Sequence, residues 1–203
     1  MKACEADDLS ERVLFLEEQN ARLRRSVARL RVYRSLAYLD PLTGLWNRRY
    51  FEARMREEFS RAQRAGLGRS FSVVIIDLNG FKQTNDRHGH LVGDEHLKWV
   101  GSFLTTHLRP HDVACRTGGD EFMLLLPDLS ASDAVNVINR LREQLCQANL
   151  SRVVPVSLSI GSASWPEVSE SCEMLLARAD AAMYEDKREQ RLCSQPKDYR
   201  TAA

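Results

Sequence analysis

No apolar stretch in the 203-residue chain approaches the length of a membrane span. Its longest runs, Val13 to Leu16, Val73 to Ile76 and Met123 to Leu126, fall far short of the ~20 residues required. The start, Met1-Lys2-Ala3-Cys4-Glu5-Ala6-Asp7-Asp8, lacks the basic-then-apolar layout of an export signal, so a soluble, cytoplasmic protein without membrane attachment is expected. The cysteines (Cys4, Cys115, Cys146, Cys172, Cys193) are odd in number, scattered and never in a Cys-x-x-Cys pair. That excludes a disulfide framework or a Cys-based zinc site and suits a reducing compartment. His88, His90, His96, His107 and His111 show no zinc-helix spacing, and neither a Walker-type GxxxxGK[ST] nor a nucleophile elbow occurs. Net charge is also nearly absent. With 29 basic and 28 acidic residues the formal charge is +1, which gives no whole-chain electrostatic case for nucleic-acid binding. The 43% hydrophobic content is enough for one ordinary domain with a proper core, plus something extra.

The extra part is residues 1–39. Leucine recurs every seven residues at Leu9, Leu16, Leu23 and Leu30, with Val13, Asn20, Val27 and Arg34 four residues after each. No Gly or Pro interrupts this a/d seam before Pro41, and the strict heptad period predicts a two-stranded coiled coil. A single helix packed on its own domain is the alternative. Charge is segregated: residues 1–20 carry six acids and two bases, whereas 21–36 carry six arginines and no acid. That polarity complements the helix dipole but favours antiparallel pairing. Asn20 at an a position, and Arg12 and Glu17 at attracting g and e positions, favour a parallel homodimer instead, and the parallel form is the expectation. The arginine run is no basic DNA-reading helix, because the leucines continue straight through it.

Residues 40–192 read as one α+β domain, with a frayed tail over 193–203. Pro41 stops the first helix, and a helix follows from about Arg48 to Ala65, closed by Gly66 and Gly68. Phe71 to Asp77 is a buried strand, Gly93 to Leu108 a helix, and Asp112 to Thr117 and Glu121 to Leu126 a hairpin about Gly118-Gly119-Asp120. Ser130 or Ser132 caps a helix to about Cys146, Val153 to Ala163 is a strand, and Ser171 to about Gln190 is the last helix. The first helix aside, this order is a split βαββαβ, predicting a ferredoxin-like antiparallel sheet with flanking helices.

One strand thus ends in Asp77 while a hairpin tip carries Asp120 and Glu121. Laid side by side they would bring three carboxylates to one sheet edge, an oxygen set suited to Mg²⁺ and substrate phosphates. Gly118 and Gly119 allow positive φ and close approach of a triphosphate. The same Gly-Gly-Asp is equally what an ordinary hairpin turn demands.

Around that turn, Arg116-Thr117-Gly118-Gly119-Asp120-Glu121-Phe122 resembles the signature of GGDEF-domain diguanylate cyclases. Further family-like segments follow in order: Asp40 to Leu45 with Asn47-Arg48-Arg49, Asp77 to Lys82 with Asn85-Asp86, Gly89-His90 with Gly93-Asp94, Val156 to Gly161, and Ala179 to Tyr184 with Lys187. The likeness spans Asp40 to about Arg191. It implies a palm-like fold and condensation of two GTP into cyclic di-GMP and two pyrophosphates, in bacterial signalling. By resemblance, Asp77, the carbonyl of Leu78, Asp120 and Glu121 hold two Mg²⁺ (Mn²⁺ as a substitute), with Asp120, Glu121 and Lys82 catalytic. GTP would meet Gly118, Gly119, the amides of Phe81 and Lys82, and the side chains of Lys82, Lys187 and Arg191. Asn85 and Asp94 would read guanine, since a carboxylate accepts from guanine N1–H and the exocyclic amine while adenine presents an acceptor at N1. A mixed guanine–adenine product is the lesser chemistry. Arg109 and Asp112 fit the family's Arg-x-x-Asp product-inhibition site, and Arg140 resembles its second arginine or is simply an exposed helix residue. Asn79 stands where many relatives carry Asp, and Gly80 where a bulkier residue is frequent.

Because each domain would hold one GTP, the resemblance implies a homodimer, and a parallel coiled coil places two domains at one end. Two other functions fit the same residues: a silent cyclic di-GMP receptor signalling through the zipper, and a zipper adaptor with a nucleotide-binding head. A regulatory partner on the N-terminal helix is a further expectation.

Overall fold

Strand Phe71–Leu78 (β2) has a β-branched apolar centre, Val73 to Ile76, and is buried on both faces because helices cover the sheet on each side. The computed structural model describes residues 2–167 and 171–194. The other elements, in chain order, are α1 (Lys2–Tyr38), β1 (Trp46–Asn47), α2 (Arg48–Ala65), a 3₁₀ turn (Gly66–Gly68), α3 (Phe81–His88), α4 (His90–His107), β3 (Val113–Gly118), β4 (Glu121–Pro127), α5 (Ala131–Asn149), β5 (Leu158–Trp165) and α6 (Cys172–Ser194). Sheet order is β1-β3-β4-β2-β5. The four strands β3, β4, β2 and β5 pair antiparallel in the ferredoxin-like arrangement, and the two-residue β1 adds a parallel edge on β3. The sheet is therefore mixed at one edge.

Strand alternation divides the core. Val74, Ile76, Leu124 and Ile160 face α4 and α5, packing on Leu97, Val100, Leu104, Val137 and Leu141. Phe71, Val73, Ile75, Leu125 and Ala163 face α2 and α6, packing on Phe51, Met55, Leu175, Ala179 and Met183. Asp77 and Glu121 continue this second set, so the α6 side of the sheet carries them.

Several elements differ from the sequence expectation, among them β1, which it did not foresee. An extra helix, α3, follows β2 directly, started by the left-handed Gly80 (φ 69°). Helix α4 begins at His90 and not Gly93. β5 begins at Leu158 and not Val153, because Asn149 holds the Val156 amide and carbonyl (2.9 and 2.8 Å) and Pro155 has no N–H to give a neighbouring strand. Ser130, not Ser132, caps α5, in a capping box with Asp133. The tail expected over 193–203 lies, from residue 195, outside the described residues; Cys193 and Ser194 end α6.

The chain divides into two compact units, 1–39 and 40–203. The first is one uninterrupted helix of 37 residues, about 55 Å long at ~1.5 Å per residue. Val13, Leu16, Leu23, Val27 and Leu30 are all exposed on it; the side chain of Leu9 lies outside the described residues.

Far from the hairpin, Glu58 on α2 is fully buried beside three arginines: Arg69 (3.2 Å), Arg61 (3.4 Å) and Arg54 (4.0 Å). Arg69 also pairs with Asp128 (3.0 Å) and so ties α2 to the β4–α5 loop. Removing one partner leaves the others' charge uncompensated, so Glu58→Ala is expected to cost about 3 kcal/mol in denaturant unfolding. A midpoint unchanged from wild type would show that the arginines reach water without loss.

Candidate active site

Register builds the site. In the β2–β4 ladder Asp77 lies opposite Glu121, and beyond it the Leu78 amide donates to the Asp120 carbonyl (3.1 Å). Gly118 and Gly119 turn the hairpin at φ 150° and 53°, the latter a left-handed conformation that favours glycine. Leu175, Ala179, Met183, Lys187 and Arg191 are spaced four apart on α6, so the face that buries its apolar part on the sheet presents two bases further along. Lys187 Nζ donates to Asp77 Oδ1 at 2.6 Å, with both side chains largely buried. Among the described residues no three His, Cys, Asp or Glu side chains are gathered closely enough to hold a metal ion. The partner of Asp77 here is an ammonium group, which neutralises one carboxylate where several acids share a strand end.

The turn is braced from a side the sequence reading missed. Arg116 donates through Nε and Nη2 to the Gly119 carbonyl (3.0 and 2.7 Å), and through Nη1 to Asp40 (3.3 Å). Asp40 also accepts from the Thr43 amide (2.8 Å) and hydroxyl (2.7 Å). Burial works against ionisation of Asp40, but these bonds and the Arg116 guanidinium outweigh it and hold its carboxyl below the usual value. The available signal was an Asp followed three residues later by Thr and then Gly, an Asx-turn pattern.

Asn85 on α3 and Asp94 on α4 are brought together by Gly93. A Cβ at Gly93 would lie 1.9 Å from Asn85 Oδ1, so the bare position is what gives the Asn85 side chain its place against α4. Asn85 Oδ1 is buried without a hydrogen-bond partner. Phe81 packs partly into the core at the first turn of α3, with Lys82 exposed beside it, where helix amides lack intrahelical acceptors.

Arg109, Asp112 and Arg140 form a separate cluster at the other end of β3, about 20 Å from the Gly-Gly turn at ~3.3 Å per residue. The Arg109 amide donates to Asp112 Oδ2 (2.9 Å), and Arg140 donates to the His107 carbonyl (3.1 Å). Burial raises the Asp112 carboxyl above its ordinary value, against the pull of Arg109 and Arg140.

The family description "diguanylate cyclase, GGDEF domain" matches residues 37–193. The chain belongs to this family. The response regulator PleD of Caulobacter vibrioides is 35% identical over 158 residues, 75% of this chain and 34% of PleD. The diguanylate cyclase DgcS of Shewanella oneidensis is 34% identical over 161 residues, 77% of this chain and 52% of DgcS. The chain thus spans about a third to a half of the length of these curated relatives. The crystal structure of the diguanylate cyclase SiaD with its activator SiaC, from Pseudomonas aeruginosa, aligns at TM-score 0.73 and 34% identity, over 88% of this chain and 68% of SiaD. The coiled coil and GGDEF domain of DgcB from Caulobacter crescentus, in complex with c-di-GMP, align at 0.75 and 28% over 86% and 93%. The second unit therefore has the palm-like GGDEF fold. Among the described residues no helix is long and apolar enough to cross a membrane.

Proposed function

We propose that this GGDEF chain is a diguanylate cyclase that condenses two GTP into cyclic di-GMP. The pairing of Asp77 with Glu121 beside the Gly118–Gly119 turn, under the bases of α6, carries this reading. In each of two steps a 3′-hydroxyl of one GTP bonds to the α-phosphorus of the other. The bond from that phosphorus to pyrophosphate breaks, and the hydroxyl proton is lost.

The donors present fit Mg²⁺. Asp77, Asp120, Glu121 and the Leu78 carbonyl are hard oxygens at an open strand end, and Asp77 already accepts one cationic partner, the Lys187 ammonium, whose place a metal would take. An ion that keeps water and phosphate ligands needs no closed protein cage. Two such ions would supply neutralisation of charge on the attacking and leaving oxygens. The rest falls to the chain. Gly118 and Gly119 give the triphosphate room to approach the backbone, the Phe81 and Lys82 amides cradle phosphates, and Lys82, Lys187 and Arg191 add charge-assisted bonds. The unpartnered Asn85 Oδ1 beside Asp94 suits a base edge offering two donors, which selects GTP over ATP. The Arg109–Asp112–Arg140 cluster is the site through which product would inhibit.

Two GTP sites must face each other, so the exposed α1 seam serves as a parallel homodimer stalk, and the rest of the α1 surface is left for a regulatory partner. Leu23→Pro is expected to break the helix, costing ~3 kcal/mol there. Turnover should fall steeply on dilution while GTP binding stays at the wild-type level. Equal specific activity of the two proteins across a dilution series would remove the stalk from the mechanism.

The direct test is incubation with GTP and Mg²⁺ after stripping bound dinucleotide, with ATP in parallel and products separated by chromatography. Cyclic di-GMP from GTP, and nothing from ATP, is expected. No product, together with tight dinucleotide binding that Arg109→Ala abolishes, would make the chain a receptor.

A further inference from the structure

The turn of α6 that carries Lys187 is fixed by its neighbours. Gln190 Nε2 donates to the Leu158 carbonyl (3.0 Å) and to Asp186 Oδ2 (2.9 Å). Gln190 Oε1 accepts from Asn79 Nδ2 (2.9 Å) and Ser157 Oγ (3.2 Å). Asn79 Oδ1 accepts from Ser159 Oγ (2.8 Å), and Asp186 accepts from the Ile160 amide (2.7 Å) and Arg142 (2.8 Å). Asp186 and Gln190 flank Lys187 on the helix, while Asn79 lies two residues beyond Asp77. The network therefore spans the two elements that present the ion pair. An amide at position 79 serves it because it donates and accepts at once; an ionised carboxylate there could not donate to Gln190 Oε1.

We propose that Lys187 is the resident counter-ion of Asp77 in the nucleotide-free protein, and that Asn79 and Gln190 are positioning residues that hold it there. The identity of the incoming metal and nucleotide rests on the cyclase reading above. A divalent cation arriving alone meets an ammonium tethered on one of its ligands. A triphosphate arriving with it offers that ammonium other oxygens and frees the carboxylate. The chain thereby favours metal bound with nucleotide over metal bound alone.

The test is titration of the full chain with Mn²⁺, free ion being read by its paramagnetic resonance, with and without a GTP analogue bearing a methylene between the α and β phosphorus. Lys187→Gln keeps a donor for Asp77 and removes the charge. It is expected to bind Mn²⁺ alone about tenfold more tightly than wild type and the analogue more weakly, since one unit charge within ion-pair distance of the ligand is gone. Lys187→Arg should match wild type. Gln190→Ala should shift both affinities the same way by a smaller factor, and that opposition in sign is what simple loosening of the helix end cannot produce. Mn²⁺ binding by Lys187→Gln no tighter than wild type would overturn the counter-ion, and a Gln190→Ala variant weaker for both ligands would overturn the positioning role. Product assays on wild type separate the two ideas: absence of cyclic di-GMP strikes the cyclase reading alone, whereas unshifted Mn²⁺ affinities with product formed strike only this one.

Discussion

Gly161→Ala is expected to lose at least about 3 kcal/mol of stability, a large share of the ~5–15 kcal/mol that holds a domain folded. Gly161 sits in β5 opposite Ile75 and faces α6. A Cβ there would lie 2.0 Å from the Met183 amide nitrogen and 2.4 Å from the Ala179 carbonyl oxygen. Both are helix backbone, so no side chain can swing aside and the whole of α6 must lift. Lifting it would uncover Leu175, Ala179 and Met183, and would draw Lys187 away from Asp77. Gly68→Ala, which meets nothing within 4 Å, is the control and should stay within ~0.5 kcal/mol of wild type. Urea unfolding of both variants, followed by circular dichroism, checks this; a Gly161→Ala midpoint equal to wild type would mean that α6 is not seated on the sheet as described.

Such contacts also mark where the sequence was and was not legible. The short β-branched run Val73 to Ile76 and the Gly-Gly turn marked the central strands, because run length and turn chemistry are local. The register that sets Asp77 against Glu121 was not so marked: it belongs to the β2–β4 pairing, which the β3–β4 hairpin does not fix and which the sequence reading could only suppose. Helix α3 was not legible: seven polar residues after Phe81, with no apolar stripe, give no period, and only Gly80 and Gly89 at its ends bound it. The short β1 had no signal of its own, since it forms only by pairing with β3. Gly93 read as the start of a helix when its use is to give the Asn85 side chain its place against α4. The bracing roles of Arg116, Asp186 and Gln190 had no signal, because what they do depends on partners 76, 26 and 111 residues away in the chain. Long-range polar pairing leaves no local pattern, whereas apolar burial does.

Glu121→Ala is expected to reduce cyclic di-GMP formation at least about a hundredfold, since loss even of a group that only orients a metal ligand costs up to that much. The position isolates chemistry from folding. Glu121 is exposed at the first residue of β4, and its backbone, not its carboxylate, carries the ladder to Asp77. Stability should therefore stay within ~0.5 kcal/mol of wild type. Asp77→Ala would be the poorer test, because it strands the Lys187 ammonium in a largely buried place and mixes an unpaired charge with a lost ligand. Glu121→Gln separates charge from shape: if neutralising developing charge is what the carboxylate supports, the amide should be nearly as inactive as alanine. Dinucleotide binding at Arg109, Asp112 and Arg140 should be untouched in both, as that cluster lies at the far end of β3. Retained turnover in Glu121→Ala would move the metal ligands to Asp77 and Asp120 and leave the register pairing without a catalytic use; lost turnover with intact dinucleotide binding would show that synthesis and product recognition are separable at opposite ends of one strand.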